Sequence, residues 1–157
     1  MYVRIDLDGP AGRLRVSGHG LPTVELVRAA GARTNRLVPI GTRDRAALAL
    51  SVDGRPARIR PARGRLLRRS YRVDATVLGA RYRLLPCSHV ASRLLRDGRR
   101  LGTLESSGDG RVAADWTAPA APSPLDIAVG TALAAAFGTG AAPSWETVGD
   151  IVGELIP

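Results

Sequence analysis

The chain has 157 residues, 45% hydrophobic and 24% charged, with a net charge of +9, and all 23 of its basic residues are Arg. That length corresponds to one domain and suffices to bury a real core. The single Cys, Cys87, excludes an intrachain disulfide and a cysteine-built metal site.

Lysine-free, Ala- and Arg-rich usage is what a GC-rich genome produces, so the arginine count alone names no partner. The distribution says more. Residues 1–111 hold every Arg against nine acids, a balance of +14, whereas residues 112–157 hold no base and five acids, Asp115, Asp126, Glu146, Asp150 and Glu154. A basic body and an acidic tail fit an anionic partner, or a tail that packs on the body and neutralises part of it. The first residues lack the charged, apolar and small-residue order of a signal peptide and read as a strand, which leads us to expect a cytoplasmic protein.

In residues 2–8, Val3, Ile5 and Leu7 alternate with Arg4, Asp6 and Asp8, the period of a half-buried strand. After a Gly9-Pro10 turn, Leu14 and Val16 alternate with Arg13, Arg15 and Ser17 in a second strand. Residues 24–27 form a short third. Residues 37–40 suggest a fourth, weakened by Pro39. Residues 46–52 have helical composition, but their length and the Asp53-Gly54 turn after them favour a strand answered by residues 58–60. Residues 66–77 and 80–85, separated by Leu78-Gly79, are expected as the central strands, with Tyr71, Val73, Ala75 and Val77 on one face and Arg72, Asp74 and Thr76 on the other. Asp97-Gly98 signals a hairpin between residues 92 and 104, and residues 111–116 form another strand after the turn at 107–110.

Residues 118–123 are a Pro/Ala linker into SPLDIAVGTALAAAFG, residues 123–138. Ser123 suits an N-cap, Pro124 the first helical position, Asp126 a capping box and Gly138 the stop. A helix that is apolar all round must be buried all round. At ~1.5 Å per residue it spans ~21 Å, too short for a bilayer core of ~30 Å, and no other segment is a transmembrane candidate. A second, amphipathic and acidic helix fits residues 144–156, with Trp145, Val148, Val152 and Leu155 on its apolar stripe. The expected architecture is mainly β: an antiparallel barrel or sandwich of about ten short strands (residues 1–117) packed around the hydrophobic helix 124–138, plus the short terminal helix.

The RRSYRVDATV strand, the LLRDGRRLGTL hairpin and the PLDIAVGTALAAAF helix, spread over residues 66–138, resemble the tubby C-terminal and LURP-one-like (phospholipid scramblase-like) superfamily. The resemblance implies a barrel closed on a hydrophobic C-terminal helix, and phospholipid headgroups among its anionic partners. The acidic segment 144–156 departs from that pattern. The same three segments also look like small actinobacterial proteins with an AAAFGTGA-type motif, a likeness that brings no activity with it.

Arg-x-Arg steps recur at Arg13/Arg15, Arg58/Arg60, Arg63/Arg65 and Arg81/Arg83. On a strand, i and i+2 share a face, so each step shows two guanidiniums side by side, a geometry suited to phosphate and carboxylate. The densest run is Arg55, Arg58, Arg60, Arg63, Arg65, Arg68, Arg69 and Arg72. The candidate anion-binding set is Arg58, Arg60, Arg63, Arg65, Arg68, Arg69, Arg72, Arg81 and Arg83. The other reading of these residues is a solvated outer face that keeps strands soluble. Sequence-specific nucleic-acid recognition is not expected, because only Tyr71 and Tyr82 offer stacking near the basic strands and no zinc-finger, helix-turn-helix or RNP pattern is present.

Cys87 and His89 sit too close along the chain for the usual nucleophile–base pair, and a buried Cys beside a surface His is the expected arrangement. His19, between two glycines, reads as a turn residue. The paired glycines lack the remainder of a dinucleotide or P-loop motif, no G-x-S-x-G occurs, and no carboxylate pair stands out for acid–base work. No cofactor is expected. Three functions remain open: a non-enzymatic module binding a lipid headgroup or phosphate-rich ligand, a protein–protein adaptor docking through Trp145, and a small accessory enzyme of a bacterial pathway.

Overall fold

The computed structural model describes residues 2–62, 71–117 and 121–139. Ten strands follow one another: β1 (Arg4–Asp8), β2 (Arg13–Ser17), β3 (Val24–Arg28), β4 (Leu48–Val52), β5 (Arg55–Pro61), β6 (Val73–Val77), β7 (Ala80–Pro86), β8 (Ala91–Arg96), β9 (Arg99–Ser106) and β10 (Val112–Trp116). Each pairs antiparallel with its neighbour in sequence, so the sheet is an uninterrupted meander with β1 and β10 at its edges. It curls into a half-barrel. Among the described residues one α-helix, α1 (Pro124–Phe137), lies in the concave side against β2, β3, β7 and β9.

The alternation predicted from sequence decides which side of each strand is buried. Leu14, Val16, Val24, Leu26, Val73, Ala75, Val77, Tyr82 and Leu84 point inward and are all but sealed from solvent. Three of the hairpins turn on two residues, Asp53-Gly54, Leu78-Gly79 and Asp97-Gly98, and in each both residues have positive φ. That is the type I′ geometry matching the right-handed twist of paired strands. Asp tolerates it; Leu78, with no local hydrogen bond to offer, is the costlier occupant at ~1 kcal/mol or more.

The helix forms as its sequence dictates. The Ser123 hydroxyl accepts from the Asp126 N–H, and the Asp126 carboxylate accepts from the Ser123 N–H, a complete capping box. From Ala128 to Phe137 every residue is buried, as expected of a helix with no polar stripe. Gly130 is required by this packing, because a Cβ there would overlap the Leu94 side chain. Among the described residues no helix is long and apolar enough to cross a membrane.

Two expectations are corrected. Residues 37–40 form turns, not a strand. Val38 and Ile40 are buried all the same, because this loop folds over the C-terminal end of α1, where the Ile40 N–H donates to the Ala136 carbonyl at 2.9 Å. A helix end has carbonyls without partners, and the loop supplies one. Residues 46–52 divide into a 3₁₀ turn (Arg45–Ala47), capped by Asp44, and then β4. The part of the expected strand 66–77 that precedes Tyr71, and the helix expected at 144–156 with its Trp145, lie outside the described residues.

Candidate anion-binding face

The register of β5, β6 and β7 brings two Arg-x-Arg steps together. Across these strands Arg60 stands opposite Asp74 and Asp74 opposite Arg83. One step along, Arg58 stands opposite Thr76 and Thr76 opposite Arg81. Ile59, Ala75 and Tyr82, which alternate with them, are buried on the inner side, so both rows face outward. Arg72, just before β6, extends the same face. With Arg45, Leu48 and Asp97, the two rows Arg60–Asp74–Arg83 and Arg58–Thr76–Arg81 line an open groove of about 1090 Å³.

The two rows differ in how their charge is spent. In the first, the Asp74 carboxylate takes two hydrogen bonds from Arg83, Nε at 2.7 Å and Nη2 at 3.2 Å, and lies 3.8 Å from Arg72 Nε. The hydrogen bond to Asp74 holds the Arg83 guanidinium protonated even more firmly than usual. In the second, Thr76 brings no charge. Among the described residues no carboxylate pairs with the side chains of Arg58, Arg60 or Arg81. Asp97, beside Arg81, is engaged elsewhere: its Oδ1 accepts from the Arg81 backbone N–H at 3.0 Å, and its Oδ2 lies 3.9 Å from Arg96 Nε.

Of the residues singled out from sequence, Arg58, Arg60, Arg72, Arg81 and Arg83 therefore share one face. Arg63, Arg65, Arg68, Arg69 and Trp145 lie outside the described residues. The remaining step, Arg13/Arg15, belongs to a different kind of surface. Arg15 stands between Asp6 on β1 and Glu25 on β3, and Arg13 stands opposite Asp8.

Two further arginines are structural rather than available. Arg28 donates to the carbonyls of Gly9, Pro10 and Ile40 at 2.8–3.1 Å, tying the β1–β2 turn to the loop over the helix end. Gly41, with φ of 96°, gives the Arg28 guanidinium its room. Arg43 donates from Nε to the Ala62 carbonyl at 2.7 Å and from Nη2 to the carbonyls of Tyr71 and Arg72. Its guanidinium stacks 5.3 Å from the Tyr71 ring centre and 5.7 Å from that of Phe137. Its Nη1 is buried without a hydrogen-bond partner among the described residues, and burial pulls its pKa down to about 10.

A buried polar cluster had only half a signal in the sequence. Asp126 was expected as a cap, and it also anchors the helix to the sheet. Its Oδ1 accepts from Tyr82 Oη and from Arg96 Nη1, both at 2.7 Å, and the Arg96 guanidinium lies 5.8 Å from the Tyr82 ring centre. Burial alone would raise the Asp126 pKa, but hydrogen bonds from Tyr82, Ser123 and Arg96 outweigh it and hold the carboxyl below its ordinary value. Burial and the bond to Asp126 push the Tyr82 phenol well up. This cluster fastens the start of α1 to β7 and β8.

Cys87 is exposed, contrary to the expectation of a buried thiol. Pro86 ends β7 pointing inward, so the alternation turns Cys87 out, where its thiol lies 3.5 Å from the Ala91 carbonyl. His89 is exposed as well, and His19 sits in a turn. Among the described residues no three His, Cys, Asp or Glu side chains gather where a metal ion could be held.

No protein-family model matches the chain, and neither curated proteins nor solved structures provide a match.

Proposed function

We propose that the chain is a non-enzymatic binding module whose Arg-rich outer face takes an anionic partner, a lipid headgroup or another phosphate-rich ligand. The observation that carries this reading is the register of β5–β7, which sets Arg58 and Arg60 across β6 from Arg81 and Arg83, with Asp74 the one acid on these three strands. Separate strands of the chain thus contribute to one cationic groove, and guanidinium forks suit phosphate oxygens better than a compact ammonium does. The resemblance of the sequence to tubby and LURP-one-like barrels favours phospholipid headgroups among such partners. From the cytoplasm such a face would meet the anionic leaflet, where each basic residue near the surface is worth about 1 kcal/mol.

The test is vesicle co-flotation. Neutral phosphatidylcholine vesicles should leave the protein behind, and vesicles with a fifth of their lipid anionic should carry it up at low salt. Raising the ionic strength should release it, since exposed charges are screened over ~8 Å at physiological salt. No flotation with anionic vesicles at low salt would end this reading.

A further inference from the structure

The two charged rows on β5–β7 share one register and differ in the residue in the middle. In each, an arginine on β5 and an arginine on β7 flank a β6 residue whose side chain points outward between them. In one row the middle residue is Asp74, which supplies its own carboxylate to Arg83 at 2.7 Å. In the other it is Thr76, exposed and uncharged, between two arginines that no carboxylate of the described residues neutralises. We infer that the Arg58–Thr76–Arg81 row is a discrete seat for one exogenous phosphate monoester, held where Asp74 places its carboxylate in the neighbouring row.

The chemistry follows from charge and reach. Two strand spacings, about 10 Å, separate the backbones of Arg58 and Arg81, a span that two arginine side chains can close over Thr76 from opposite sides. Two unspent guanidiniums call for two negative charges. A phosphate monoester carries −1.5 to −2 at neutral pH and has three free oxygens. A phosphodiester or a carboxylate carries one charge and two oxygens, so it would leave one arginine unmatched. The Thr76 hydroxyl donates to the third oxygen. Asp97 does not fill the seat, because its Oδ1 is taken by the Arg81 backbone N–H and its Oδ2 faces Arg96. Arg60, beside Asp74, steers the anion without holding it.

This inference rests on the anion-binding reading, and its experiment separates the two. Inorganic phosphate and glycerol phosphate would be titrated calorimetrically into the full chain at low salt. Vesicles containing phosphatidic acid, a monoester, would be compared with phosphatidylglycerol vesicles of equal charge. The wild-type chain should bind one phosphate and prefer phosphatidic acid. Thr76→Asp places a carboxylate in the second row as in the first and should lower phosphate affinity at least tenfold with the melting temperature unchanged or raised. Asp74→Thr should open a second seat and raise the stoichiometry from one to two. If Asp74→Thr does not fold, Thr76→Asp alone decides. Wild-type binding to both vesicle types that Thr76→Asp leaves unchanged would overturn the discrete seat while sparing the broader reading. Equal affinity for the two lipids would overturn the monoester assignment. Failure of the wild-type chain to bind either phosphate or vesicles would remove both readings.

Discussion

On the outside of β1–β3, Arg15 stands between Asp6 and Glu25, and Arg13 stands opposite Asp8; on the outside of β5–β7, Arg58 and Arg81 stand on either side of a threonine. Both surfaces cover the same core, with the same inward alternation beneath them. A strand needs only its inner face to fold, and either pattern outside keeps the sheet soluble. Acids stand opposite the arginines of β1–β3 in register, while the ion pair between Arg83 and Asp74, which crosses strands, belongs to β5–β7. With no acid opposite Arg58 or Arg81 in register, the β5–β7 face carries the greater surplus of positive charge, and that surplus is what the proposed anionic partner would meet.

The comparison presumes one core beneath both surfaces, and the harshest test addresses that. Leu133, 1% exposed, lies in the middle of α1. Leu133→Asp should unfold the protein, because an unpaired buried charge costs several kcal/mol against a total stability of ~5–15 kcal/mol. Loss of the cooperative thermal transition is the expected readout, and a native-like melt would mean that the two faces do not share this helix.

Next in size is the lock at the start of the helix. Asp126→Asn leaves Arg96 and Tyr82 without their charged acceptor and should cost about 3 kcal/mol, read from denaturant midpoints. The sign of the pH dependence is set by the lowered folded pKa of Asp126. Its stabilisation is complete above the ordinary carboxylate value of ~3.9 and is lost as pH falls from there through the folded value. The variant should therefore show a shallower acid unfolding than the wild type, with both faces lost together.

The direct comparison comes third. Arg58, Arg60, Arg81 and Arg83 changed together to Gln should weaken binding to anionic vesicles at least tenfold. Arg4, Arg13 and Arg15 changed to Gln should weaken it less than twofold. Equal losses would mean that net charge acts without a site. Arg28 and Arg43 do not belong in such a control set, since both hold loops by their carbonyls.

How far the sequence led is clearest at this point. Val73, Ala75 and Val77 declared their face by period alone, and Leu78-Gly79 fixes that Thr76 meets Arg81, because a two-residue turn sets the register of its own hairpin. Arg58 meeting Thr76 was not legible. β5 and β6 are joined through residues 62–72, and nothing local to either strand specifies how they align. Tyr82 and Arg96 reach Asp126 across 44 and 30 residues, a pairing made by the curl of the sheet. Val38 and Ile40 looked like strand because apolar residues in a short run do not reveal whether a sheet or a helix end will cover them.

Two small effects complete the series. Asp6→Asn with Glu25→Gln removes the acids opposite Arg15 and the exposed Arg4–Asp6 ion pair. It should change stability by less than ~1 kcal/mol, as loss of an exposed ion pair does, and add a weak, salt-sensitive component to vesicle binding. Cys87 lies on neither face. Cys87→Ala should stay within ~0.5 kcal/mol of the wild type with vesicle binding unaltered, while the native thiol should label rapidly with a maleimide.

The meander has a consequence for the order in which the molecule comes into being. Each strand finds its partner in the chain just made, so the sheet can be assembled hairpin by hairpin as it leaves the ribosome. The helix that fills it is the last described element to be synthesised. At roughly 5–20 residues per second, the interval between residues 117 and 137 lasts about 1–4 s. During that interval the nascent chain holds a gutter lined with Leu14, Val24, Leu94 and Leu104 and nothing of its own to lay in it. The protein's most aggregation-prone moment is thus written into its connectivity, and it falls between the synthesis of β10 and that of α1.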